Sequence, residues 1–231
     1  MGTRNGLAPR WYSSLGDKKL IVSSLRQLLP DIKPNRRGQP PKHPIKDYLL
    51  LIVLKEFKKS PLRGAETDWS EYVCGKRIDH SVIHYWERNL PSEYIEQAVR
   101  LIGSRLEELI GYEFSVIDAT AFSGWHHDTT SFHLVNRISK GTVYPVSMRI
   151  DTLNPVSNTR DTIVPGSGLF MGDAWYDVNS VFRMAYKHGY TPLIKPNKGR
   201  SRGYWRRMGR KVYRREWRTY RQRGRGESVF C

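Results

Sequence analysis

Near the end of the chain, Tyr220, Arg223 and Glu227 stand at i, i+3 and i+7 within a run of arginines. On a helix these three side chains share one face about two turns long, because i+3 and i+7 return to nearly the same azimuth. A carboxylate among so many cations reads either as a solvated ion pair or as a metal ligand whose neighbours hold a polyanion. Upstream, Asp118 and Asp173 each close a short strand-like run, 55 residues apart, and Glu227 follows 54 residues later. Singly, an aspartate at a strand end is a turn former or a helix cap. Three acidic groups carried to one place by separate elements could hold hard divalent cations against a phosphodiester. Magnesium takes a few carboxylate oxygens and keeps several waters; two such ions about 3.5–4 Å apart can stabilise the entering and leaving oxygens of an in-line displacement. That chemistry calls for Asp and Glu rather than His or Cys.

The charge of the chain supplies the other half of such a site. Its 231 residues carry a net charge of +17, and residues 198–226 alone hold thirteen Lys or Arg against one acidic residue, Glu216. Tyr204, Trp205, Tyr213, Trp217 and Tyr220 are interleaved with these cations. Cations neutralise phosphates and release counterions while aromatic rings offer stacking surfaces, so nucleic acid is the expected partner. Tyr220, Arg223, Arg206, Arg207, Arg214 and Arg215 are the candidate contacts. The alternative for this segment is a basic solvated face with aromatic anchors. His126, His127, Asp128 and His133 cluster between Trp125 and His133, as a zinc set or as a polar loop near Asp118 that touches DNA.

Two cysteines, Cys74 and Cys231, form neither a disulfide framework nor a spaced zinc-ligand set. Met1 to Arg10 lacks an apolar signal core, and the longest apolar run, Tyr48 to Leu54, is too short to span a bilayer. A cytoplasmic protein is expected, associated with the nucleoid through its DNA partner and not with a membrane.

The elements that must position these residues fall into two regions. Residues 1–110 read as helical and DNA-binding. Their helices are Trp11 to Leu29, Ile45 to Phe57, Pro61 to Trp69, Ser81 to Asn89 and the longer amphipathic Glu93 to Ile110, with a proline-rich basic linker at 30–44. The three short helices have a spacing compatible with helix-turn-helix. Residues 111–231 change to a strand-like pattern. Strands are expected at Glu113 to Asp118, Thr142 to Asp151, Pro155 to Ile163 after a tight Asn154-Pro155 turn, Leu169 to Asp173 and Pro192 to Lys195, with a helix at Val178 to Lys187. Strands first in a meander and then alternating with helices predict an α/β fold, a mixed sheet covered by helices. In such sheets ligands gather at strand ends.

Val116-Ile117-Asp118-Ala119-Thr120, Gly172-Asp173-Ala174-Trp175-Tyr176-Asp177 and Tyr220-x2-Arg223-x3-Glu227 resemble the three catalytic blocks of DDE transposases encoded by bacterial and archaeal insertion sequences. The resemblance covers roughly Gly111 to Cys231. Gly38 to Asn89, with Ser60-Pro61-Leu62-Arg63-Gly64 and Asp79-His80-Ser81, is similar to the helical amino-terminal region of the same enzymes.

That family implies a ribonuclease H-like core. It implies two Mg²⁺ ions, with Mn²⁺ able to substitute, held by Asp118, Asp173 and Glu227, and Tyr220 and Arg223 against the cleaved strand. The partners would be transposon-end and target DNA, bound by a homo-oligomer. Asp177 is expected to cap the helix that follows it. The family's lysine, about two turns beyond the glutamate, has no counterpart, since the sequence stops four residues after Glu227. Gly224 and Gly226 weaken a helix by roughly 1 kcal/mol each relative to Ala. The expectation is therefore a truncated enzyme with a poorly anchored Glu227. The alternative function is a non-catalytic DNA- or RNA-binding protein descended from such an enzyme.

Overall fold

A computed structural model of the chain describes residues 15–31, 40–123, 129–152, 154–199 and 202–227, without the side chains of 15–17, 121–123, 129, 130, 152 and 227. The chain divides into two units, residues 1–94 and 95–231. The division falls within the first turn of the long amphipathic helix, whereas the sequence pattern set it at residue 110, after that helix.

The first unit is helical: α1 (Leu15–Leu28), α2 (Ile45–Lys58), α3 (Leu62–Asp68), α4 (Ser70–Cys74) and α5 (His80–Asn89). Pro44 and Pro61 open α2 and α3, where a missing N–H costs nothing because the first helical donors have no partner within the helix. Asp79 caps α5, its Oδ1 accepting from the Ser81 N–H at 2.8 Å. The apolar run of α2 supplies the centre of this unit, with Leu50, Leu51 and Leu54 fully buried and Tyr48 stacked on Trp86 of α5 at 4.8 Å between ring centroids. α4 extends the expected Pro61 to Trp69 helix by a second short segment.

The second unit is built on a five-stranded mixed sheet, order β3-β2-β1-β4-β5. Its strands are β1 (Phe114–Ser123), β2 (Thr129–Ser139), β3 (Thr142–Thr152), β4 (Leu169–Gly172) and β5 (Thr191–Ile194). β1, β2 and β3 form an antiparallel meander, while β4 runs parallel to β1 and β5 parallel to β4. Helices α6 (Ser92–Ile110), α7 (Pro155–Thr162), α8 (Asn179–Lys187), α9 (Tyr204–Tyr220) and α10 (Gly224–Glu227) accompany the sheet. The mixed sheet covered by helices is as expected. No helix among the described residues is long and apolar enough to cross a membrane.

Alternation along the strands divides the core into two layers. Ile117, Val135, Phe170 and Ile194 point toward Leu106 of α6, Val156 of α7 and Val181, Phe182 and Ala185 of α8. Phe114, Val116, Ile138, Met171 and Leu193 point the other way, toward Val212, Tyr213 and Tyr220 of α9. α9 lies close to α8 at Gly209, where an added Cβ would stand 2.0 Å from Cε1 of Phe182. Only a residue without a side chain fits there.

Three expected elements differ. Pro155–Thr162 is helix α7, not a strand: Asn154 caps it, Oδ1 accepting from the Val156 and Ser157 N–H groups at 3.0 and 3.1 Å, and Pro155 sits in the first turn. Residues 129–133 belong to strand β2, not to a polar loop. The carboxy-terminal segment is not one helix. α9 carries a non-helical residue at Glu216, a 3-10 turn spans Arg221–Arg223, and α10 follows.

Candidate active site

β1 and β4 pair in parallel, Phe114 opposite Leu169, Ser115 opposite Phe170 and Val116 opposite Met171. Continuing that register by two residues sets Asp118 opposite Asp173, just beyond the last paired residues. Adjacent strands lie about 4.8 Å apart. Asp173 is still extended, at φ −76° and ψ −176°. By the same alternation both aspartates share the face of Val116 and Met171, which α9 covers. Asp118 is not at the end of its own strand, which runs on to Ser123 against β2; it is where the β1–β4 pairing ends.

Each carboxylate is fixed by its surroundings. Asp118 Oδ1 accepts from the Ala119 N–H at 3.0 Å, and Oδ2 takes an ion pair with Arg223 Nη1 at 3.1 Å. Asp173 caps the 3-10 turn Ala174–Tyr176, Oδ1 accepting from the Trp175 N–H at 2.9 Å. The Tyr220 hydroxyl donates to the Gly172 carbonyl at 3.2 Å, next to Asp173, and its ring packs edge-on to Tyr213. Burial pushes the Tyr220 hydroxyl up to about 12, with Arg223 acting in the opposite direction and Asp173 adding to the rise. Arg223 thus reaches Asp118, and Tyr220 the backbone beside Asp173, although the segment carrying them is broken by a 3-10 turn.

α10 rests on the sheet. Its Gly226 is buried, an added Cβ would stand 2.9 Å from Val116 Cγ1, and the Gly226 carbonyl accepts from Asn136 Nδ2 at 3.2 Å. Arg225 Nη2 donates to the Ser139 carbonyl at 2.7 Å. The expected weakness at Gly226 is instead a close approach of backbone to β1, two residues before Asp118. The backbone of Glu227 closes α10; its side chain lies outside the described residues, as do His126, His127 and Asp128.

Behind the aspartates is a buried polar chain that local sequence does not reveal. Tyr176, three residues after Asp173, is 1% exposed. Burial, then Asp118 and Asp173, hold its hydroxyl well above the ordinary phenol range. His133 is buried in β2, its Nδ1 3.3 Å from the Tyr176 hydroxyl and its Nε2 2.8 Å from Ser131 Oγ and 2.6 Å from Asn158 Nδ2. Its ring stacks on Trp175, and burial lowers its pKa to about 4. A neutral histidine saturated by protein partners is a structural group, so His133 does not take the ligand role considered for the histidine cluster.

The basic segment separates into two kinds of arginine. Arg207, Arg214 and Arg215 are exposed on α9, and with Lys211 and Arg218 they form one side of the helix at i, i+4, i+7, i+8 and i+11; Arg215 also pairs with Glu216. Arg221 and Arg218 stand 4.9 and 5.9 Å from the exposed Trp217 ring. Arg206 belongs to the other kind. It is buried, with Nε 2.9 Å from Asp177 Oδ1 and Nη2 paired to Oδ2, and Asp177 also accepts from the Asn197 N–H. Arg206 is thus turned inward rather than presented to solvent, and Asp177 accepts from Arg206 and Asn197 instead of capping α8; together they tie α9 to the segment before α8.

Comparison of the chain with protein-family models, with curated proteins and with solved structures finds no match.

Proposed function

We propose that this protein is a DDE-type transposase with a ribonuclease H-like core, which cleaves DNA at the ends of a mobile element and joins the freed end to target DNA. The observation that carries the reading is the register of Asp118 and Asp173 at the end of the β1–β4 pairing, with Arg223 and Tyr220 reaching the same place. Three short motifs scattered over 110 residues of sequence thereby contribute to one face of one sheet.

The donor set suits a hard cation. Both aspartates offer oxygen, no sulfur or imidazole joins them among the described residues, and Asp173 uses only Oδ1 in the hydrogen bond that caps its turn. Asp118 and Asp173 would hold Mg²⁺, with Glu227 as the third carboxylate. The metals would supply Lewis-acid stabilisation of charge on the phosphate and activation of the attacking oxygen. The chain's own residues perform the positioning. Ala119 and Trp175 N–H groups fix the carboxylate orientations, and Tyr220 ties the helical segment to the backbone at Gly172. Arg223 balances the charge of Asp118 in the free protein and is placed to turn to a phosphate oxygen when DNA arrives. The side of α9 formed by Arg207, Lys211, Arg214 and Arg218 would follow the backbone of the bound duplex.

A second reading has its own observation. The Arg223 guanidinium already neutralises Asp118, and the exposed cations of α9 would bind nucleic acid without any cleavage. Divalent-metal-dependent nicking of labelled duplexes carrying the ends of the element that encodes the protein separates the two. Cleavage that needs both aspartates supports the transposase; metal-independent binding with no cleavage in Mg²⁺ or Mn²⁺ supports the binding protein.

A further inference from the structure

We propose that His43, Asp47 and Cys74 form a zinc site in the helical unit. One potential donor atom of each lies within 4.8 Å of the other two. They come from three places: the residue before the cap of α2, the first turn of α2 and the last residue of α4. An imidazole, a carboxylate and a thiol are the three side-chain types zinc takes, and a thiolate favours it over Mg²⁺ or Ca²⁺.

The site also holds an orphan. His43 Nε2 is buried without a hydrogen-bond partner among the described residues, a state that costs free energy unless something ligates it. Asp47 is buried, and Arg26 Nη2 engages its Oδ1 at 2.8 Å. Oδ2 would then be the oxygen offered to the ion, with the arginine fixing the carboxylate's orientation as outer partners of metal ligands do. Cys74 is in no disulfide among the described residues and is half-buried. With Zn–N and Zn–O near 2.0–2.2 Å and Zn–S near 2.3 Å, tetrahedral donors stand roughly 3.3–3.8 Å apart, so the three side chains need only close inward. On binding, the Cys74 thiol gives its proton to solvent, bonds form from one nitrogen, one oxygen and one sulfur to the ion, and water fills the fourth position. The charges of Asp47 and the Cys74 thiolate then offset those of the ion.

A second cluster in the same unit shows the contrast. Glu66 lies beside Asp79 and His80, but Arg77 occupies its Oε1 at 2.8 Å and the His80 backbone N–H and Nδ1 its Oε2 at 3.2 and 3.0 Å. That group is closed by its own ion pairs, whereas the histidine of the Cys74 group is not. The consequence is a clip between the entry of α2 and the end of α4 in a small unit, the kind of staple such units use. It is independent of the strand-transfer reading.

The test is Co²⁺ titration of the full chain carrying Cys231→Ser, so that Cys74 is its only thiol. The expected result is a thiolate-to-cobalt charge-transfer band with tetrahedral d–d bands, saturating at one ion per chain and bleached by Zn²⁺. Cys74→Ser should abolish the charge-transfer band. His43→Ala should weaken binding by more than the ~10–100-fold that loss of an outer partner costs. Asp118→Ala should leave the band unchanged, which separates this site from the carboxylate pair. Absence of the band in the Cys231→Ser parent would overturn the proposal without relying on any variant in the site. A band that survives both His43→Ala and Asp47→Asn would overturn it too.

Discussion

Removing Arg206 should destabilise the second unit rather than weaken DNA binding selectively. Arg206 and Asp177 are 6% and 1% exposed and meet through two parallel contacts, Nε to Oδ1 at 2.9 Å and Nη2 to Oδ2. Deleting one partner of such a pair leaves a buried charge without compensation, which costs ~3–5 kcal/mol. For a chain of this size that corresponds to a melting temperature lower by roughly 6–20 °C, out of a total stability of about 5–15 kcal/mol. Asp177→Leu and Arg206→Met should each show it in urea unfolding. The double variant Asp177→Leu/Arg206→Met removes both charges and should recover most of the loss, since apolar replacement of a whole buried pair is often neutral. Additive losses in that cycle would refute the pairing. A stable Arg206→Met variant with reduced DNA affinity would return Arg206 to the phosphate-binding set.

Three further outcomes are expected. Gly209→Ala should destabilise by ~1–3 kcal/mol despite its better helix propensity, because its Cβ would meet Phe182 at 2.0 Å; equilibrium unfolding reads this directly. His133 is held neutral with a pKa of about 4 against ~6.5 when unfolded. As pH falls from about 6.5 to 4 the unfolded chain gains a proton that the folded one refuses, so stability drops by up to about 3 kcal/mol. Unfolding at pH 7 and 4.5 should show that loss, and His133→Gln should remove this part of it. In a salt titration of DNA binding, each of Arg207→Ala, Lys211→Ala and Arg214→Ala should flatten the log–log slope by ~0.9 if that residue neutralises one phosphate; unchanged slopes in all three would detach α9 from the DNA.

How far the sequence could be read depended on where each residue finds its partner. β4 and β5 are short apolar runs beside Gly or Pro, α2 is a longer one opened by Pro44, and α8 is an amphipathic stretch closed by His188-Gly189, so local pattern sufficed. The β1–β4 register that brings Asp118 to Asp173 was legible only as two strand ends of like chemistry; the pairing itself is a long-range event. β2 was missed because Ser131, His133, Asn136 and Arg137 make it look polar. All four are buried. Their partners lie far along the chain: Arg137 takes Glu107, the Tyr190 hydroxyl and the Pro165 carbonyl, and His133 takes Asn158 and Tyr176. Asn154-Pro155 is equally good as a turn or as a helix cap with proline following, and only the packing of α7 on the sheet chose between them. The burial of Arg206 likewise needs Asp177, 29 residues earlier, and a run of arginines carries no mark of which one turns inward.

The central claim is that Asp118 and Asp173 act together on a phosphodiester. The direct measurement is Mg²⁺-dependent cleavage of element-end DNA by the wild-type chain, Asp118→Ala and Asp173→Ala, with duplex binding in metal-free buffer measured alongside. Wild-type cleavage should fall on the order of a thousand-fold or more in either variant, while metal-free binding holds or tightens because a negative charge has gone. Undiminished cleavage by Asp118→Ala, or a wild-type chain that binds these ends but never cuts them in Mg²⁺ or Mn²⁺, would contradict it.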